Sequence, residues 1–418
     1  MSRSNMNRSH KWFSPPPTPS PLEGEGRVGG CRGSVALRVV LPLVLLVGGL
    51  VAFAKYGANW FEAPPAPIEN IYLERLTFKP EEISVVVMNV GPEPVTIAQA
   101  FVNEMLVDNF AISPSATIPR LGRAVLSVGH SWVKGDPYEV AVMTSNGFVF
   151  HQEAGVAKTT PVPTTGTMAL FALLGLYVGV IPVFLGMLWR PFLRTLAPEW
   201  MQFLLSLTVG LLVFLGVDSL HEGLEAAEQL AGPHQGVMLT IGLALLSALG
   251  LVAVGSWLKR RHASEDESRN RWTLALMIAV GIGLHNLGEG LAIGAAYAIG
   301  EVGLGIFLVI GFTLHNTTEG LGIVAPLAKD EVKPSSFIGL GLAAGAPTIV
   351  GAWIGGFAYS PLWATVCLAL GAGAIFQVVY ELSRFMIRQQ PERQLLPVHV
   401  GGIASGMMLM YLTGLMVK

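Results

Sequence analysis

Nine long apolar runs constrain the fold of this chain more than any other feature. Each is close to the roughly 17 to 25 residues that an α-helix needs to cross a bilayer. The chain is 52% hydrophobic and 13% charged, with a mean hydropathy of +0.55, which excludes an ordinary soluble protein. We therefore predict an all-α polytopic membrane protein. The runs are residues 35–54, 166–189, 201–222, 236–258, 272–296, 303–327, 335–357, 361–383 and 399–417.

Basic residues between these runs indicate an orientation in the bilayer. Lys and Arg concentrate in the cytoplasmic loops of membrane proteins, and here they occur in alternate connections. This pattern predicts a protein of a bacterial inner (plasma) membrane with its N-terminus in the cytoplasm and its C-terminus outside. The connections 190–194, 259–271, 329–333 and 384–393 contain basic residues, whereas 223–235, 297–302 and 358–360 contain none.

The first two segments of the chain differ sharply in polarity. Residues 1–34 are rich in Pro, Gly, Ser and Arg, which predicts a disordered cytoplasmic tail. Residues 35–54 are predicted to be a transmembrane anchor. Their last residues, Ala52-Phe53-Ala54, also resemble a signal-peptidase site, but a cleaved signal would need an unusually long charged lead.

Residues 58–160 have a different pattern, rich in Val, Ile, Phe and Thr and bounded by proline. Short alternating runs separated by turn signals are typical of a small antiparallel β-sandwich. Its place after the anchor predicts that it lies outside the cytoplasm, and its role stays open. The predicted strands are 83–89, 94–102, 123–128, 138–144 and 148–152.

Two neighbouring apolar runs carry the same polar insert. Residues 285–293 read HNLGEGLAI and residues 315–323 read HNTTEGLGI, with six of nine positions identical. Residues four apart share a helix face, so each insert directs one imidazole and one carboxylate the same way. Ionisable groups inside a membrane are costly and are therefore functional candidates. Gly290 and Gly320 after each acid would allow a close helix crossing or a local break.

The donor types of the inserts favour a divalent transition metal. The two runs are predicted to be antiparallel, which brings both inserts to a similar depth. Imidazole nitrogen and carboxylate oxygen suit zinc, iron, manganese or cobalt better than calcium or magnesium. The two cysteines, Cys31 and Cys367, do not support a disulfide framework or a thiolate site. The predicted metal residues are His285, Asn286, Glu289, His315, Asn316 and Glu319.

These inserts and the eight-run block at 166–418 resemble the ZIP (Zrt/Irt-like) family of divalent metal transporters. That family carries paired His-Asn-x-x-Glu-Gly-type motifs in its fourth and fifth spans, as 285–290 and 315–320 do here. The resemblance implies an eight-helix bundle with both ends outside and a metal site between those two spans. It also implies movement of the metal toward the cytoplasm, with one helix bundle sliding against another.

The sequence departs from the family pattern in two places. Many members have Pro before the motif acid, whereas Gly288 and Thr318 stand there in this chain. Many also carry a Glu in the sixth span that completes a second metal position, but residues 342–348 read LAAGAPT. We therefore expect one principal ion held by both His–Glu pairs, with Asn286 and Asn316 as secondary ligands.

Other polar side chains lie near the ends of the runs. Asp218, His221 and Glu222 are predicted to form an acidic entry path that concentrates cations, and the alternative is a solvated helix end. Gln377 and Glu381 are interpreted as a satisfied interfacial pair, with an exit-path role as the alternative.

Taken together, these features predict a transporter that brings divalent transition-metal ions into the cytoplasm, with zinc as the leading candidate. A proton-coupled transporter of another solute and a membrane metal sensor are the alternatives. We expect no enzymatic activity, no cofactor other than the transported ion and no nucleic-acid partner. The expected partners are metal ions and the lipid bilayer, and a homodimer stays open.

Overall fold

The computed structural model describes residues 32–57, 68–230, 235–261, 267–299, 302–389 and 396–415. Most of the predicted disordered tail, residues 1–31, lies outside the described residues. The chain forms two compact units, Met1–Ala66 and Pro67–Lys418.

The described part of the first unit is a single helix. Helix α1, Arg32–Tyr56, covers the predicted anchor. Its large side chains are exposed, and Leu45 for example is 65% accessible. A run of exposed Leu and Val is stable when lipid surrounds it, which is consistent with a membrane anchor.

The β-sandwich is present as predicted, as two five-stranded sheets of antiparallel strands. Alternate residues point into the space between the sheets, and Ile83, Val87, Val140 and Val142 are fully buried there. One sheet contains β1 (Ile71–Leu73), β2 (Thr77–Lys79), β3 (Glu82–Asn89), β6 (Phe110–Ser113) and β8 (Arg123–Gly129); the other contains β4 (Val95–Val102), β5 (Met105–Val107), β7 (Thr117–Ile118), β9 (Tyr138–Thr144) and β10 (Val149–Ala154).

All five predicted strands are confirmed, as β3, β4, β8, β9 and β10. The sequence did not predict the other five strands, which have between two and four residues each. A strand that short does not repeat the alternation of apolar and polar residues often enough to be recognised.

The remaining chain is helical, and each predicted run after the sandwich falls on a helical segment. Six segments among the described residues are long and apolar enough to cross a bilayer, so this is an integral membrane protein. The helices are α2 (Thr165–Gly175), α3 (Ile181–Met187), α4 (Arg190–Leu193), α5 (Pro198–Glu228), α6 (Gly236–Arg261), α7 (Glu267–Ile299), α8 (Val302–Val324), α9 (Pro334–Gly345), α10 (Pro347–Ala358), α11 (Pro361–Gln389) and α12 (Leu396–Leu415).

Two of the predicted runs are interrupted helices, and proline lies at each interruption. A π-helical turn, Leu176–Val180, joins α2 to α3 just before Pro182. Pro347 begins α10 immediately after α9 has ended. Proline has no amide hydrogen to donate within the helix, so such positions leave backbone carbonyls without their usual helical partner.

Glycines bring the helix that carries the first insert close to α10. A side chain at Gly290 would overlap the carbonyl oxygen of Thr348, and one at Gly351 would overlap that of Leu287. Helix α8 crosses α3 in the same way, with Gly320 against Val183. Of the two roles predicted for Gly290 and Gly320, close crossing is therefore the one observed, because α7 and α8 continue unbroken through them.

One end of the bundle is tied by arginine. Arg271 of α7 donates from Nε and Nη2 to the two carboxylate oxygens of Asp330, at 2.8 and 2.7 Å. Arg190 donates to the backbone carbonyls of Leu327 and Asp330. These bonds hold the segment after α8 against α7 and α4. They therefore fix the position of α8 along α7, the two helices that carry the inserts.

Candidate metal centre

The two inserts meet inside the bundle. Oε1 of Glu289 on α7 is in close contact with Nε2 of His315 on α8. The same oxygen lies 3.3 Å from Nε2 of His285. One ligand atom from each of these residues lies within 4.8 Å of the others. We call these three residues the His–Glu–His cluster. Its dimensions match the separation of ligands around one metal ion.

Helix geometry explains how these side chains converge. His285 and Glu289 are one turn apart on α7, so both lie on the face that meets α8. All three side chains are buried, with 3 to 5% of each residue exposed. No basic side chain other than histidine contacts Glu289 among the described residues, so its charge is compensated only by histidine and amide groups.

Asn316 orients the shared carboxylate. Its Nδ2 donates to Glu289 Oε2 at 2.9 Å and to the carbonyl oxygen of Val178 at 3.1 Å. Val178 belongs to the π-helical turn, where the regular helical hydrogen bonding changes. The irregular turn therefore supplies an acceptor that fixes Asn316, which in turn fixes Glu289.

Asn286 points elsewhere than its counterpart in the second insert. It donates from Nδ2 to the carbonyl oxygen of Ala344 on α9, at 3.0 Å. The two predicted secondary ligands thus have different neighbours, although both keep a buried Oδ1 that lacks a hydrogen-bond partner.

Glu319 is buried near the His–Glu–His cluster but is not one of the residues whose ligand atoms lie within 4.8 Å of one another. Only 1% of the residue is exposed, and neither carboxylate oxygen has a hydrogen-bond partner in the described chain. Glu289 is close enough to act on it electrostatically. A buried carboxylate without a donor requires a proton or a cation. Neither nitrogen of His285 makes a hydrogen bond, although Nε2 lies 3.3 Å from Glu289, so each keeps a lone pair that a metal ion could bind or a proton that it could replace.

The predicted entry residues lie on α5 with different degrees of contact. His221 Nδ1 is 3.4 Å from Glu225 Oε1, and both side chains are largely exposed. Asp218 is also exposed. Glu222 is exposed as well, and the charges of Asp218, Glu225 and Glu289 act on its carboxylate.

The predicted pairing of Gln377 with Glu381 is wrong. Glu381 pairs with Lys259 of α6 at 3.1 Å. Gln377 is buried, and neither its Nε2 nor its Oε1 has a hydrogen-bond partner among the described residues. A Cβ at Gly281 would be 3.3 Å from Gln377 Oε1, which places this amide one turn from His285. The pairing failed because Lys259 comes from another helix, whose approach the sequence does not reveal.

Thr348 is a buried polar residue near the cluster that the sequence did not single out. Its Oγ1 has no hydrogen-bond partner in the described chain, and its backbone carbonyl packs on Gly290. It is part of the stretch noted for its missing acid, but a single hydroxyl in an apolar run gives no distinctive signal.

Comparison with known proteins gives a family match over part of the chain. Residues 257–413 match the family model described as ZIP zinc transporter, a stretch that runs from the end of α6 into α12 and includes both inserts. A search of the curated proteins finds no match to this chain. The matched residues include all three members of the His–Glu–His cluster. The chain is therefore an integral membrane protein in which residues 257–413 match the family model of the ZIP zinc transporters.

Proposed function

We propose that the protein carries a divalent transition-metal ion across the bilayer into the cytoplasm, with zinc as the first candidate substrate. The observation that carries this proposal is the His–Glu–His cluster, in which three ligand atoms from two helices lie within 4.8 Å. Nitrogen and oxygen donors in this ratio bind zinc, iron, manganese and cobalt better than calcium or magnesium.

Glu319 is the fourth ligand in this proposal. Its partnerless, buried carboxylate supplies the second negative charge for an ion of charge +2. Asn316 acts mainly through Glu289, whose carboxylate it orients, and Asn286 is a weaker candidate because its amide binds α9. The centre then holds one principal ion, since residues 334–358 contain no Asp, Glu, His or Cys to complete a second position.

The proposed direction follows from the distribution of charge. The sandwich lies near Gln229, Ile299 and Tyr359, which belong to connections without Lys or Arg. Lys259 and Arg271 lie at the other ends of their helices. By the positive-inside rule the sandwich would then be outside, the N-terminus in the cytoplasm, and the membrane a bacterial inner membrane. Asp218, His221 and Glu222 would lie on the entry side.

Uptake into proteoliposomes tests the function. The purified full chain is expected to import zinc faster than protein-free vesicles, with iron, manganese and cobalt tested as competitors. Glu289→Gln keeps the size of the side chain but removes its charge, and is expected to lower initial uptake by at least about tenfold. The matched control is Glu199→Gln, at the exposed start of α5, which is expected to retain wild-type uptake.

Two results would contradict the proposal. Wild-type rates of uptake in the Glu289→Gln protein would show that the cluster does not hold the transported ion. A folded wild-type protein that imports none of the four metals would favour a sensor or a transporter of another solute.

A further inference from the structure

A cavity lies between the sandwich and the bundle. Its volume is about 540 Å³, within the range of small-molecule sites. The sandwich lines it with residues that include Arg75, Gln152 and Lys158, and the bundle contributes Gln229 and Tyr359 among others. The cavity is separate from the His–Glu–His cluster, none of whose residues lines it.

Arg75 is a half-buried cation with no partner anion among the residues that the structure describes. Within the described chain its guanidinium makes neither a hydrogen bond nor an ion pair. The neighbouring acid Glu74 lies instead 3.5 Å from Arg123. Burial lowers the pKa of Arg75 from its usual value, the direction expected for a cation that has lost water without gaining a counter-charge.

Lys158 adds a second positive charge to the cavity. Its Nζ donates to the backbone carbonyl of Tyr297 at 2.8 Å and lies 4.0 Å from the centre of the Tyr297 ring. An ammonium has three donors, and one of them satisfies this carbonyl. Burial, together with the charge of Lys134, lowers the pKa of Lys158.

The other lining groups do not neutralise this pair of cations. Burial, helped by Glu74 and Tyr359, raises the pKa of Tyr72 to about 12. Burial also raises the pKa of Tyr359, although Arg75 opposes that shift. Both phenols are therefore uncharged near neutral pH. Glu153 also lines the cavity, but it is exposed and forms no ion pair with Arg75 or Lys158. The lining keeps a net positive charge.

We propose that this cavity binds a small anion through a carboxylate or phosphate group held by Arg75 and Lys158. The planar guanidinium of arginine donates two parallel hydrogen bonds to either group, and the lysine adds a point charge. Gln152 and Gln229, which also line the cavity, supply neutral donors. The bound group is either a free anion or the headgroup of an anionic lipid. Because Lys158 also contacts the end of α7, the anion would link the sandwich to the helix that carries His285 and Glu289.

Binding measurements on the purified full chain test this proposal. In detergent, citrate and inorganic phosphate are the free-anion probes, measured by isothermal titration calorimetry. Nanodiscs of phosphatidylglycerol compared with nanodiscs of phosphatidylcholine provide the lipid arm, with retained lipid measured after delipidation. One arm is expected to show saturable binding of one anion per chain.

Substitutions assign that binding to the cavity. Arg75→Gln is expected to weaken it by about tenfold or more, as for loss of a charge-assisted hydrogen bond, and Arg75→Lys is expected to lose less. The control Arg120→Gln, at an exposed site on the sandwich, is expected to bind as the wild type does. Circular dichroism and gel filtration show whether each variant is folded. Absence of saturable binding in both arms, or equal affinity in wild type and folded Arg75→Gln and Arg75→Lys proteins, would overturn the proposal.

Discussion

Glu289 is the side chain on which the interactions of the centre converge. It contacts His285 and His315 and receives a hydrogen bond from Asn316 at 2.9 Å. Two helices and the π-helical turn therefore act on one carboxylate. A side chain held from three directions loses little conformational entropy when an ion binds, which favours a pre-formed metal site.

Substitutions of Asn316 and Asn286 test whether Asn316 orients Glu289. Asn316→Ala removes the donor that orients Glu289, and we expect it to weaken zinc binding by about tenfold to a hundredfold with the fold retained. Asn286→Ala is the comparison, and we expect it to weaken zinc binding less, because its amide binds the Ala344 carbonyl instead of Glu289. Zinc titration of both purified variants measures the effect. Equal affinities in the two folded variants would contradict the orienting role of Asn316.

Individual residues differ in how far the sequence revealed them. The identity of the six predicted metal residues came from the repeated inserts, because a charged group in an apolar run is conspicuous. Arg75, Thr348 and Gln377 were not identified, or were assigned the wrong partner. Their significance depends on missing partners, and only the folded chain shows which partners are missing.

The crossing of α7 and α10 is the element on which the position of His285 and Glu289 depends. Small residues on both helices let the backbones approach, with Gly290 and Gly294 on one side and Gly351 and Gly355 on the other. The sequence predicted a close crossing or a break at Gly290, but it did not identify α10 as the partner helix. Sequence periodicity defines a face of a helix and not the helix that it contacts.

A pair of alanine substitutions tests this crossing. A methyl at Gly351 would overlap the Leu287 carbonyl, whereas nothing lies within 4 Å of a methyl at Gly339 on α9. We expect Gly351→Ala to destabilise the protein by about 1 to 3 kcal/mol because the helices must separate. Gly339→Ala should be neutral or stabilising by up to about 1 kcal/mol, since alanine favours helix. Thermal unfolding in detergent compares them, and equal melting temperatures would contradict the close packing.

At the scale of the whole molecule, the bundle and the sandwich meet beside the ends of the helices that carry the entry residues and the cluster. Lys158 of the sandwich binds the Tyr297 carbonyl on α7, and Gln229 and Tyr359 line the shared cavity. The end with the Arg271–Asp330 pair lies at the opposite terminus of α7. The end near the sandwich has connections without Lys or Arg, and the other end has connections that contain them, which is the difference predicted for the outer and inner sides.

Cysteine labelling tests the orientation of the whole chain. In a protein with Cys31→Ser and Cys367→Ala, single cysteines replace Ser115 on the sandwich and Lys329 in the segment after α8, both exposed. We expect a membrane-impermeant maleimide to label the Ser115→Cys protein in spheroplasts, and the Lys329→Cys protein only after permeabilisation. The reverse pattern would place the sandwich in the cytoplasm and would contradict the proposed direction of transport.

The sequence by itself determined the helical runs, the sandwich, the two polar inserts and the charge asymmetry of the connections. Each of these features depends on hydropathy, alternation or residue spacing within one continuous segment of the chain. The tertiary structure decided which groups meet. Asn316 binds a carbonyl of the π-helical turn, α7 packs on α10, and Lys259 pairs with Glu381. Arg75 lines a cavity without a partner anion among the described residues. These contacts join residues far apart in the chain, so they depend on how the helices pack and not on any pattern within one of them.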